Sequence, residues 1–220
     1  VGQIDGNLRG SIANELPDVA PSYFFVDIQP DQIDGFRTRL DSDPQVTRYE
    51  AAPMLRGIIT QINGIPARDF ADHWVLNGDR GLTYSALPSD GTIITQGDWW
   101  PADYAGPPLI SFAAEEAAEI GLKIGDTITT NILGRDIQAT VANFREVSFE
   151  DAGIGFIMSM NPTALQGAPH SWISTVYSDP SAEAAILRDL ATAYPNVTAI
   201  RVRDAIDKVV QLLGGISAAT

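Results

Sequence analysis

His73 and His170 are the only imidazoles in the chain, so neither an H-E-x-x-H run nor a three-histidine metal site can be assembled. Cysteine is absent, which removes thiolate nucleophiles, disulfides, zinc clusters and Fe–S ligation. The sequence holds no G-x-S-x-G elbow, no S-x-x-K and no G-x-x-x-x-G-K phosphate loop. "GIG" at 153–155 runs on into "FIM" and lacks the third glycine of a dinucleotide fingerprint. A Ser–His–Asp triad stays open, because its members can come from anywhere in a chain. Neither histidine, however, lies in a stretch that reads as a strand-to-helix elbow. With 28 carboxylates, neighbours such as Asp41/Asp43 and Glu115/Glu116 arise by chance, and a solvated face explains them better than acid–base work. Asn196-Val197-Thr198 has the form of a glycosylation acceptor but falls at an expected strand start. These residues argue against an enzyme, and no cofactor or metal is expected.

Binding chemistry has better candidates. "GDWWPADY" carries Trp99, Trp100 and Tyr104. In a strand the two indoles would point to opposite faces, so only one could enter a given core. One reading is an exposed apolar platform for a partner or a lipid-like or glycan ligand. The other, which we prefer, folds both onto a β core from a turn before Pro101, since tryptophan is mostly buried. Arg56, at the head of "RGIITQI", could pair with a buried carboxylate or anchor a partner; an edge-strand arginine facing water is the simpler expectation. Arg80, in "GDRGLTYS", completes the candidate contacts. Met54, Met158 and Met160 read as core filler rather than a flexible binding surface.

The elements that must carry these residues are legible in part. The chain has 220 residues and 45% hydrophobic content, enough for one large or two small cores. Its formal charge is −14, with Lys123 and Lys208 the only lysines, and such a surface repels phosphate backbones and anionic headgroups. Nucleic acid is therefore not an expected partner. No apolar run of about eighteen residues is present, and no signal peptide opens the chain. It begins with Val1, which suggests an excised fragment.

An internal repeat organises the ends. Residues 24–55 and 172–206 share one layout: a β-rich apolar run, then Pro30 or Pro180 where a first helical turn accepts proline. Each continues with a sparse apolar helix face, Ile33, Phe36 and Leu40 in one, Ile186, Leu187, Leu190 and Tyr194 in the other. Each helix stops before a "P-x-V-T" that opens a new strand. The expected class is α+β: a split βαβ subdomain from 1–61 plus 169–220, with a small mainly-β subdomain inserted at 62–168. That insertion is punctuated by turns, and its expected strands are 92–96, 127–133, 137–141 and 156–160 in an open barrel or sandwich. One helix, about 113–120, is expected to end on Gly121 at C′ with Leu122 after it. Gly2, Gly6 and Gly10 at the start, and the stripe Ile206, Val209, Val210, Leu213, Ile216 at the end, suit two adjacent helices leading to membrane spans.

"ISFAAEEAAEIGLKIGDTITTNILGRDIQATVANFREV" (110–147) resembles the extracytoplasmic domain of FtsX-like, MacB-like permeases of ABC transporters. Ser111, the Ala/Glu helix and Gly121-Leu122-Lys123-Ile124-Gly125-Asp126 match that family's run of serine, helix and "LGLKxGDxI". "APSYFFVDIQPDQ", "MLRGIITQINGIPA", "GDWW" and "YPNVTAIRVRDAI" are similar in style to its YbbP-type subgroup. The resemblance implies a non-catalytic periplasmic domain of a bacterial inner-membrane protein, with a porter-like subdomain and a β insertion as in the MacB periplasmic core. It further implies coupling to ATP hydrolysis by a separate cytoplasmic subunit. It also implies a periplasmic partner, with a lysophospholipase/thioesterase or a lipid-like substrate suggested.

Overall fold

The computed structural model describes residues 20–147 and 154–202. In chain order the elements are β1 (Tyr23–Ile28), α1 (Ile33–Ser42), β2 (Val46–Ile62), β3 (Ile65–Pro66), α2 (Ala67–Phe70), β4 (Arg80–Tyr84), β5 (Ile94–Gly97), β6 (Leu109–Ala113), α3 (Ala114–Ile120), β7 (Thr127–Ile132), β8 (Arg135–Arg145), β9 (Met158–Met160), β10 (Ser171–Ser178), α4 (Glu183–Ala193) and β11 (Thr198–Arg201). They form a mixed α/β structure divided into two compact units. The described part of the first is 20–53, 154 and 170–202; that of the second is 54–147 and 155–169. β2 runs unbroken through the boundary at Pro53 and Met54. The expected terminal helices at 1–15 and 204–220 lie outside the described residues.

In the first unit the strand order is β11-β1-β10-β2, with β1 antiparallel to both of its neighbours (Phe24↔Thr175 and Phe24↔Ile200). Each helix therefore links two strands that are separated in the sheet by a strand from the other half. The apolar spacing of each helix dictates what it buries. Ile33, Phe36 and Leu40 sit one turn apart on α1, Ile186 and Leu190 one turn apart on α4, and all five enter one core with Tyr23, Phe25, Ile28 and Val176. Phe36 meets Phe25 edge-on at 5.4 Å between centroids. Full burial of such a ring contributes on the order of 2–3 kcal/mol.

In the second unit the strands close on themselves. β2 pairs with β4, β4 with β9, β9 with β6, β6 with β8, β8 with β7, and β7 with β2 again. This ring of six replaces the expected open barrel or sandwich. The pairing that closes it, β2 with β7, joins residues about 70 apart in sequence (Ile58↔Asn131), a distance at which local pattern carries no signal. β4·β9 and β6·β8 are parallel and the other four pairings antiparallel. Alternate residues fill the interior, including Leu55, Ile59, Leu82, Ile110, Phe112, Ile128, Ile132, Val141, Met158 and Met160. β8 is long enough to pair with β7 through Thr140 and then, from Asn143 to Arg145, to carry β5 outside the ring.

α3 ends as its sequence dictates. Gly121 adopts φ 79°, its N–H bonds Ala118 O at 3.3 Å, and Leu122 N–H bonds Ala117 O at 2.9 Å with the Leu122 side chain buried. Asp126 then accepts the Lys123 N–H at 2.8 Å and fixes the turn into β7.

Candidate functional site

The aromatic segment lies between β5 and β6, beside the tight loop that leaves β4. Trp99 and Trp100 stack at 4.2 Å between centroids, tilted by 34°. Each indole N–H is tied to that loop, Trp99 Nε1 to Ala86 O at 3.0 Å and Trp100 Nε1 to Ser85 O at 2.9 Å. Trp100 is buried, at 4% exposure, and Trp99 half-buried above it. Leu87, next to the carbonyl that Trp99 holds, is 62% exposed. Tyr104 is half-buried and donates to Pro107 O at 2.6 Å, closing a turn of its own. The segment is set against β8 by Gly97, whose φ is 73° and whose missing Cβ would stand 2.1 Å from Ala142 O. Asn143, buried, reaches back to Asp98 O at 3.1 Å. The two tryptophans are thus fixed to backbone at both indoles, and the pair presents one partly open ring.

The two candidate arginines differ. Arg80 is buried at 6% exposure; its guanidinium donates to Trp74 O at 2.8 Å and to Asn77 O, and lies 5.2 Å over the Trp74 ring. Burial, then the neighbouring Arg56 charge, pulls its pKa down, while Asp79 opposes them. Arg80 holds the Trp74–Leu76 turn against β4. Arg56 stays largely exposed and faces Asp79 at 3.7 Å. It is not on an edge strand: β2 pairs with β4 at this position (Arg56↔Gly81), within the closed ring. The contacts described for Arg80 and Arg56 run to Trp74, Asn77 and Asp79.

A second polar group, not anticipated from sequence, lies under α3. Arg145 is buried, and its guanidinium donates to Ser111 O at 2.7 Å, Ser111 Oγ at 3.3 Å and Phe156 O. Burial lowers its pKa to about 10, with the Glu116 carboxylate opposing the shift. Glu116 is 7% exposed, one of its carboxylate oxygens has no hydrogen-bond partner, and burial raises its pKa. One turn on, Glu119 meets His73 Nε2 at 2.7 Å, while His73 Nδ1 accepts the Val75 N–H. Val75 N–H takes Nδ1 and Glu119 takes Nε2, so both ring nitrogens are engaged. His170 stands 6.2 Å from the Trp172 ring. Among the described residues no group of three or more metal-ligating side chains comes together. Asn196 has its amide nitrogen on Asp27 O and Gln32 Oε1 and its amide oxygen on Gln32 Nε2, bridging two loops of the first unit.

A mixed α/β structure of two units, one of them a closed ring of strands, is what the described residues build. By sequence the chain is homologous to a stretch of an ABC transporter permease. The relative is the uncharacterized ABC transporter permease YbbP of Escherichia coli (strain K12), 28% identical over 171 residues that make up 77% of this chain and 20% of that protein. The chain thus spans about a fifth of the length of the curated relative it matches. No protein-family model matches the chain. Among solved structures, a domain of a permease-type protein from Porphyromonas gingivalis aligns at a TM-score of 0.41 and 13% identity, covering 81% of this chain and 88% of that one.

Proposed function

We propose that this chain is the periplasmic domain of an ABC transporter permease, a non-catalytic part that transmits ATP-driven movement to a periplasmic partner or substrate. The observation that carries the reading is the homology to a permease over 77% of the chain. The unlike halves of the fold agree with it: an interleaved βαβ unit with two amphipathic helices, of the kind found in porter domains, and a β barrel reached through β2. FtsX-like and MacB-like kinship, membership of the YbbP-type subgroup and a split-subdomain layout belong to this proposal. So does an ATPase subunit acting from the cytoplasm through the membrane part of the parent protein. A lysophospholipase/thioesterase partner rests on the family resemblance alone.

These 220 residues hold no cysteine, so once any cysteines elsewhere in the parent protein are replaced, a single introduced thiol reports on this domain alone. In cells making the intact parent protein, Gln96→Cys supplies one exposed thiol on β5. A membrane-impermeant maleimide should label it from outside the inner membrane, and its labelling rate should change when ATP hydrolysis is blocked by an ATPase-dead subunit. Labelling only after the inner membrane is broken would overturn the location. A rate indifferent to ATPase activity would overturn the coupling.

A soluble lipid- or glycan-binding module is the second reading, favoured by the half-open Trp99 ring beside the exposed Leu87.

A further inference from the structure

The ledge of Trp99 and Leu87 has a charge setting that the permease reading does not use. From Gly81 to Leu122 the sequence contains no Lys, Arg or His, and the loops around the ledge carry Asp90, Asp98 and Asp103, all exposed. Arg145, which pairs with Ile94 of β5, is turned inward onto Ser111 and Phe156. On the same loops Leu87 is 62% exposed and Ile93 54%, so folding gains little from either side chain. Both indoles are already anchored to backbone carbonyls, so a ligand stacking on Trp99 orders no side chain by binding.

We propose that this ledge binds a basic, apolar-flanked segment of a partner protein. An aromatic face with carboxylates beside it favours an ammonium or guanidinium group. Leu87 takes the apolar neighbour of that group. Anionic ligands, phosphate headgroups among them, are repelled by the three carboxylates. The inference goes beyond the permease reading, because it concerns a property of the chain by itself and holds whether or not the domain moves with ATP.

The test uses the 220-residue chain, with binding read by calorimetry and tryptophan fluorescence. Probes are a short alternating Lys-Leu peptide, its Glu-Leu and Lys-Gly counterparts, and phosphatidylcholine vesicles. The Lys-Leu peptide should bind about tenfold more tightly than either counterpart. D98N/D103N should weaken it about fivefold and L87S about threefold, with the thermal melt unchanged. Equal affinity for the Glu-Leu peptide would overturn the charge argument. Unaltered binding by D98N/D103N and L87S would overturn the location. Saturable binding to the vesicles with none to the Lys-Leu peptide would replace the protein partner by a lipid.

Discussion

Glu116 carries a carboxylate in a place that favours the acid. Burial is the largest influence on it; its own backbone N–H pulls the other way, Glu115 and Glu119 add repulsion, and His73 opposes them. Its folded pKa is therefore above the unfolded one, and the folded state holds the proton to higher pH. Stability falls as pH rises from the ordinary carboxylate range through the raised folded value. Glu116→Gln keeps the shape and removes the titration. Urea midpoints across that window should flatten in the variant, and it should be the more stable protein at neutral pH. A wild-type slope that survives in the variant would assign the dependence to other carboxylates. Leu133 poses a different residue-scale problem. It has φ 51° in the two-residue turn between β7 and β8 and is 74% exposed, while Asn63 has φ 54° in the matching turn between β2 and β3. Asn-Gly is the favoured pair for this turn and leucine is not. Leu133→Asn should raise stability by about 1 kcal/mol, and Asn63→Leu should lower it by at least as much, read from denaturant midpoints. The second change also loses the Thr127 N–H bond to Asn63 Oδ1.

At the scale of elements, Gly97 decides whether β5 can lie against β8. Gly97→Ala meets both a left-handed backbone and the Ala142 carbonyl, so it should cost about 2–3 kcal/mol and move the tryptophan emission with it. A variant melting like wild type with unchanged emission would show that the segment can shift aside. Much of the element pattern was legible: both strand–helix–strand halves, the apolar faces of α1 and α4, and the Gly121-Leu122 ending of α3 follow from local spacing and turn chemistry. The limits of β8 were not. It was expected over 137–141 but extends to Arg145, because Asn143 and Arg145 are buried polar residues that a polarity rule places outside. Their burial is made possible by carbonyls of Asp98, Ser111 and Phe156 that the fold brings from elsewhere in the chain. β5 starts at Ile94 rather than 92, since Thr92 closes a turn onto Ser89 O. At the candidate site, the sequence pointed to the tryptophans. It carried no hint that Arg80 turns inward, because its acceptors are the carbonyls of Trp74 and Asn77.

At the scale of the whole molecule, one chain holds two separate cores, one built on α1 and α4 and one inside the ring of strands. Phe36→Ala should remove about 3–5 kcal/mol from the first and Leu82→Ala about 2–5 kcal/mol from the second. Hydrogen exchange should lose protection chiefly in the unit that carries the change; uniform loss across both would show a single cooperative body. The interleaved order β11-β1-β10-β2 also has a meaning in time. A ribosome delivers β1 early, but both strands that flank it, β10 and β11, come from residues 171–201, after every strand of the ring has been made. At about 5–20 residues per second, β1 waits on the order of ten seconds for its first neighbour. Tyr23, Phe24 and Phe25, wholly buried in the finished fold, are apolar throughout that interval. A nascent chain therefore carries β1 unpaired until β10 is made, and a holding chaperone would be needed at β1 for that interval.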